Sequence, residues 1–294
     1  MNFTVHLSIP PNVARRTRQE IAQRFPEALV DAPDTHPEML AFARACGPAA
    51  PPDLAVSAYP HLAVNLARHA GQGVFATPSA DLPPLRPELA GLGMQPPVTE
   101  LRIITVAPVV LAANNALAPG LADWADLCAG GLGGGFGCPP LDTPLPYLVR
   151  HHLEGLCRRS GAGALPEIDT ASPPLEINKR VDAGDLAAGV LIPAFGRAFR
   201  LGGGRLVWPR SGALAVPLMA CLAADAPPAA HEMLAYLLSL EFQTYLAQSG
   251  ALAPTHPDAP GFPELDQAQW RLLWPGWQAL AEVASDMDAA LPTA

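Results

Sequence analysis

Charge is scarce in this chain of 294 residues: Asp, Glu, Lys and Arg together make up only 15%. Basic residues are the smaller part of it, 18 against 27 acidic, for a formal net charge of -9. A surface that holds a polyanion needs clustered Lys and Arg. The densest basic cluster, Arg15, Arg16 and Arg18, has no interleaved aromatic and reads as the solvated face of a helix. Nucleic acid is therefore not expected as a partner. Aromatics are also few, at 6%, so the core must be built from Ala, Leu, Val and Ile. No apolar run reaches the roughly 18 residues of a membrane span. The longest, Ile103 to Ala113 and Gly212 to Ala224, are interrupted by Pro108 and Pro217, and no membrane insertion is expected. Met1 to Pro11 lacks the basic stretch and apolar core of a signal peptide. The cytoplasm is the expected location, with the periplasm as the alternative for a trimmed mature form.

Other absences remove whole reaction classes. The glycine stretches 130–137 and 202–204 lack the offsets of GxGxxG, and no GxxxxGK[ST], GxSxG or HExxH occurs. The five cysteines, Cys46, Cys128, Cys138, Cys157 and Cys221, are odd in number and have no CxxC spacing. They read as small buried hydrophobes, not a disulfide framework. Cys128 and Cys138 flank a glycine stretch but have no supporting ligands at zinc-site spacing. Adjacent His151 and His152 would point about 100° apart on a helix and so would not share a metal. No catalytic residue and no cofactor is expected, and no metal ligand can be assigned. The chain reads as a non-enzyme.

What is present is the composition of a packed protein. Half of the residues are hydrophobic, and the length suits two domains. Thirty-five prolines imply many turns and short elements. Phe3 to Ile9 alternates as a strand does, and Val13 to Phe25 has helical spacing with Val13, Ile21 and Phe25 inward. Asp53 to Ser57 reads as a short strand, followed by a helix from Tyr59 to Ala70 that Gly71 ends. Leu101 to Ala113 is the longest strand-like run. Thr143 is placed as the N-cap of a helix over Leu145 to Arg159, with Pro144 at its first position. A helix over Glu176 to Ala183 ends near Gly184. Gly189 to Pro193 and Arg205 to Pro209 read as strands, and His231 to Gln248 as one helix. Trp270, Trp274 and Trp277 fall on one face of a C-terminal helix. Alternating strands and helices imply an α/β fold with a largely parallel sheet.

Six stretches, in order, carry a resemblance. They are Asp53-Leu54-Ala55-Val56-Ser57; Val106 to Asn114; Asp123-Trp124-Ala125-Asp126-Leu127; Val181 to Gly189; Val207-Trp208-Pro209-Arg210-Ser211-Gly212-Ala213 with Pro217; and Leu238-Ser239-Leu240-Glu241-Phe242-Gln243. Over about 190 residues these resemble the substrate-binding proteins of ABC transporters, in the ferric-iron-type branch. The resemblance implies a two-lobed type II periplasmic-binding-protein-like α/β fold, with a ligand cleft between lobes joined by two crossing strands. Lobe 1 would comprise 1–104 and 208–294, and lobe 2 would comprise 105–207. Ligands of open α/β sheets bind beyond the carboxyl ends of strands. That rule points to Ser8, Asn12, Ser57, Tyr59, Thr143 and Ser211 as hydrogen-bond donors, with Arg210 supplying charge. One departure bears on the cargo. Ferric-iron members commonly carry a tyrosine pair after the second crossing, whereas Arg210 to Ala224 contains none, and the chain has only Tyr59, Tyr147, Tyr236 and Tyr245.

These readings converge on a module that binds a small oxyanion, carboxylate or chelated metal of iron- or molybdate-like kind, for uptake or intracellular carriage. Its partners would be that ligand and either an ABC permease or a cytoplasmic protein. The alternatives are a cytoplasmic sensor or metal-cofactor assembly partner on the same fold, and an enzyme on the same scaffold.

Overall fold

The computed structural model describes residues 2–49, 51–128, 132–161 and 165–291. Gly130 and Gly131, the start of the first glycine stretch, lie outside the described residues. The chain forms two compact units. Unit 1 is Met1–Ala107 with Val216–Phe262, and unit 2 is Pro108–Ala215 with Pro263–Ala294.

In chain order, unit 1 opens with β1 (Phe3–Leu7), α1 (Pro11–Arg24), β2 (Ala28–Asp31), α2 (His36–Ala45), β3 (Leu54–Ser57), α3 (Pro60–His69), β4 (Phe75–Ala76) and α4 (Pro87–Gly91). Strand β5 (Arg102–Asn114) then runs from unit 1 into unit 2. Unit 2 continues with α5 (Ala125–Cys128), β6 (Phe136–Gly137), α6 (Leu145–Ser160), β7 (Ile168–Asp169), α7 (Pro174–Ala183), β8 (Ala188–Leu191), α8 (Pro193–Gly196) and β9 (Gly204–Val207). Strand β10 (Ala213–Ala223) leads back into unit 1, which adds α9 (Pro228–Leu237), α10 (Leu240–Gly250) and β11 (Ala253–Pro254). Helix α11 (Pro263–Gln267), β12 (Leu272–Leu273) and α12 (Trp277–Ala290) complete unit 2.

The abundance of proline has a local cause. Pro11, Pro37, Pro60, Pro87, Pro146, Pro174, Pro193 and Pro228 each sit in the first turn of a helix. The N–H groups there have no intrahelical partner, so a missing one costs nothing, and the fixed φ suits the helix.

In unit 1, β1 lies between β2 and β3, parallel to both, with Val5 opposite Val30 and Leu54. β10 pairs antiparallel with β3, Met219 opposite Ser57. Phe3, Val5 and Leu7 of β1 pack with Val13 and Ile21 of α1, Val56 of β3, Leu218 and Leu222 of β10, Met233 of α9 and Phe242 of α10. Each such side chain, fully buried, contributes roughly 1.5–3 kcal/mol of transfer free energy. The helix expected over His231 to Gln248 is two helices. Leu238 caps α9, and the Ser239 hydroxyl accepts from Phe242 N–H to start α10. Buried Gln243 secures the break by donating to the carbonyls of Ile104 and Leu237, 2.7 Å each, and accepting Thr255 N–H at 2.8 Å.

In unit 2, β5 pairs antiparallel with β8 along one edge and β9 along the other, Leu111 facing both Val190 and Val207. β6 is parallel to β8 and β7. Ala112, Ile177, Val181, Leu186 and Leu191 form a buried cluster. Gly189 makes room for α7: a Cβ there would come within 2.5 Å of the Ile177 side chain. Gly184, at φ 89°, ends α7 in the left-handed cap that favours glycine.

Three further expectations are corrected. Residues 263–291 group with unit 2 and not with the first lobe. α12 lies on α6, β12 pairs with β10 at Ala213 and Leu214, and Arg197 grips Glu264 through two bonds of 2.6 and 2.8 Å. The three tryptophans share no helix. Trp270 sits in a turn at φ 58°, and Trp277 opens α12 with its ring edge-on to Trp274 at 5.0 Å. Thr143 caps nothing: its hydroxyl donates to the Pro140 carbonyl at 2.7 Å, and Pro144 is the N-cap of α6.

Candidate functional site

Because β1 and β2 are parallel, their carboxyl ends lie side by side, and the chain turns there into α1 and α2. A pocket of about 190 Å³ opens at this edge of unit 1, floored by Leu7, Ile9, Ala32 and Met39. Arg15 and Arg18, three residues apart on α1, line it, with His36 at the start of α2 and Asp34 beside it. Arg18 Nη1 stands 3.5 Å from Asp34 Oδ1 with both side chains well exposed, an ion pair of little worth that leaves the guanidinium available. Arg15 has no carboxylate partner among the described residues. Tyr59 OH donates to the His36 carbonyl at 3.2 Å and lies 3.4 Å from its Nδ1, which fixes the start of α2. Two guanidinia and an imidazole around an apolar floor suit a small anion. Arg15, Arg16 and Arg18 are all exposed, as a solvated face requires, but Arg15 and Arg18 also line the pocket, whereas Arg16 turns elsewhere. That residue bonds Glu20 at 2.8 Å and lies over the Tyr245 ring.

The residues expected to bind ligand fall into separate groups. Ser8, Ser57 and Tyr59 meet at neighbouring strand ends of unit 1, with Ser8 N–H donating to the Val56 carbonyl at 2.9 Å and Tyr59 N–H to Ser57 Oγ at 3.1 Å. Buried Ser8 also bonds His6 Nε2 at 2.7 Å, while His6 Nδ1 bonds Asp31 at 2.9 Å and the ring stacks on Phe42 at 3.3 Å. Burial lowers the His6 pKa against the raising pull of Asp31, so the ring is neutral. With Asp31 accepting the Nδ1 proton, Nε2 accepts from Ser8, whose hydroxyl is thereby spent. The order serine, histidine, carboxylate resembles a nucleophile with its base, but Ser8 is only 3% exposed. Asn12 donates to the Gly250 carbonyl at 3.1 Å. In unit 2, Ser211 donates to Asp123, and exposed Arg210 neighbours it in the turn before β10 with only its backbone engaged, through Ala122 and Arg271. Thr143 lies apart, before α6.

The groups that would hold a bare metal are otherwise occupied. Tyr236 donates to Glu20 beneath the Arg24 guanidinium, and burial pushes its phenol well up. Tyr245 donates to the Val13 carbonyl, and burial raises its phenol too. All five cysteines are buried, and none is in a disulfide. Burial pushes Cys128 up to about 12 and Cys138 still further, against the thiolate a metal needs. His151 faces Glu282 at 3.7 Å, whereas His152 stands edge-on to Trp124, its pKa lowered to about 4 by burial and by nearby Arg159. Among the described residues no three of His, Cys, Asp and Glu are grouped to hold a metal ion, and no helix is long and apolar enough to cross a membrane.

Residues 162–283 match the family of bacterial extracellular solute-binding proteins. The fold is similar to that of a ferric binding protein from Campylobacter jejuni, with TM-score 0.72 and 12% identity over 99% of this chain and 97% of the other. Iron-bound HitA from Pseudomonas aeruginosa gives 0.70 and 18% over the full length of both. The Trichodesmium protein IdiA (FutA), in complex with iron and citrate, gives 0.65 and 12% over 98% and 97%. No curated protein matches the sequence significantly. The chain has the type II periplasmic-binding-protein-like fold, with ferric-binding proteins among the structures similar to it.

Arg15, Arg18 and His36 escaped the sequence reading. The first two read only as part of a solvated face, and nothing in the spacing around them announces β2 or α2. The available signal was the Pro33-Asp34-Thr35-His36-Pro37 turn: Thr35 accepts from Glu38 N–H as N-cap of α2, with Pro37 in the first turn.

Proposed function

We propose that the chain binds a small anionic solute, either a carboxylate, an oxyanion or a metal chelated by such groups, as the ligand-binding component of an ABC transporter. The observation that carries this reading is the pairing of Arg15 and Arg18 with His36 around an apolar pocket at the carboxyl ends of β1 and β2. Two guanidinia three residues apart match the two-oxygen edge of a carboxylate or oxyanion. A chelated metal suits the site better than a bare ferric ion, because the Tyr236 and Tyr245 phenols are engaged and their pKa values raised.

A thermal-shift panel of citrate, ferric citrate, molybdate and phosphate against neutral sugars tests the reading. A ligand at a hundred times its Kd stabilises by about 2.7 kcal/mol, and at least one anion should raise the melting temperature accordingly. Stabilisation by neutral solutes alone would contradict the proposal.

A further inference from the structure

Unit 1 holds a second and larger cavity, about 320 Å³, that shares no residue with the first. It lies where β5 begins, at Arg102 and Ile103, against Leu238 and the Thr255-His256 segment that follows β11. Its volume reaches the lower end of the range for small-molecule sites. Pro83, Pro84 and Pro96 form part of its wall, with the stiff backbone that proline imposes.

Two polar groups in it are unusually placed. Arg102 is partly buried, and its Nη1 donates to the carbonyls of Thr99 and Leu101 at 3.1 Å each, which fixes the guanidinium. No carboxylate among the described residues pairs with it, and burial alone lowers its pKa. A part-buried cation without a counter-charge carries a desolvation cost that a ligand anion would offset. His256 accepts Asp258 N–H on Nδ1 at 3.1 Å, which leaves Nε2 as the ring nitrogen able to donate. Thr255, by contrast, is spent on the Ile104 carbonyl at 3.0 Å.

We infer that this cavity is a binding site for a small monocarboxylate with a short apolar body. The Arg102 guanidinium and His256 Nε2–H would receive the carboxylate, and Ile103, Leu238 and the proline wall would receive the hydrocarbon. The site stands independently of the pocket lined by Arg15 and Arg18.

Calorimetric titration of the full chain at pH 7.5 with isovalerate, benzoate and phenylacetate, and with isovaleramide and benzamide as neutral isosteres, tests the inference. At least one acid should bind, and its amide at least tenfold more weakly. Arg102→Gln should weaken the acid by tenfold or more, and Arg102→Lys, which keeps the charge but loses the planar fork, should fall between. Arg18→Gln should leave this binding unchanged while weakening ligands of the other pocket, so the two readings fail separately. Circular dichroism establishes that each variant is folded, and the His256 ring resonances should shift on titration. The inference is overturned if none of the three acids binds below 10 mM, or if Arg102→Gln and Arg102→Lys bind as the native chain does.

Discussion

Two sets of polar side chains, one in each unit, serve opposite ends. In unit 2, Asp182 is buried and accepts the backbone N–H groups of Arg200 and Leu201 at 2.6 Å and of Gly204 at 2.9 Å. Asn114 donates to the Val181 carbonyl and accepts from Ala116 and Leu117. Arg180 is held by Asp169, and Arg205 by the carbonyls of Ala118 and Pro119. These groups tie down irregular backbone, so their hydrogen bonds go into stability. In unit 1, Arg15, Arg18 and Arg102 face cavities with weak ion pairing or none. A charge left without a firm partner adds little to stability and remains free for a ligand. The partners of an arginine therefore say more about its use than its exposure does.

Substitutions can break this contrast, and the largest effect is expected at Asp182. Burial by itself pushes its carboxyl up, but the backbone N–H groups of Leu201, Gly204, Arg200 and Gly203 outweigh that and hold it below its usual range. Asp182→Ala removes the acceptor from these part-buried N–H groups and should cost roughly 2–3 kcal/mol, read as a lowered urea midpoint. His152 comes next. Its folded pKa of about 4 lies below the ordinary value of 6.5, so it favours the folded state fully above pH 6.5. That contribution is lost as pH falls towards 4, by at most about 3 kcal/mol. Acid melts should show the loss, smaller in His152→Phe, while His6, shifted the same way, leaves a remainder. Ser239→Ala removes the cap of α10 and should cost about 1 kcal/mol. Arg18→Gln should move stability by less than about 0.5 kcal/mol; a larger loss in denaturant titration would make Arg18 structural and erase the contrast.

Much of the scaffold was legible because its signals are local. Alternation marked β1, the longest strand-like run marked β5, helical spacing marked α1, and Gly184 marked the end of α7. The misses depend on distant partners. Nothing near Ser239 announces that Gln243 bonds the Ile104 carbonyl across 139 residues and holds the bend between α9 and α10. The spacing of Trp270, Trp274 and Trp277 imitates a helix, yet positive φ at Gln269 and Trp270 breaks it. Ser8, Ser57 and Tyr59 do lie at strand ends, but their hydroxyls have protein partners. Arg15 and Arg18 look like any solvated pair until β2 and α2 are folded beside them.

The most direct test of the account is calorimetric titration of citrate and ferric citrate into the native chain and the Arg15→Gln/Arg18→Gln variant, at matched low salt. The account predicts that at least one of the two binds the native chain, and that the double variant, still folded, binds it at least a hundredfold more weakly, about 2.7 kcal/mol. Equal affinity in both proteins, or no binding of either anion to the native chain, would contradict it.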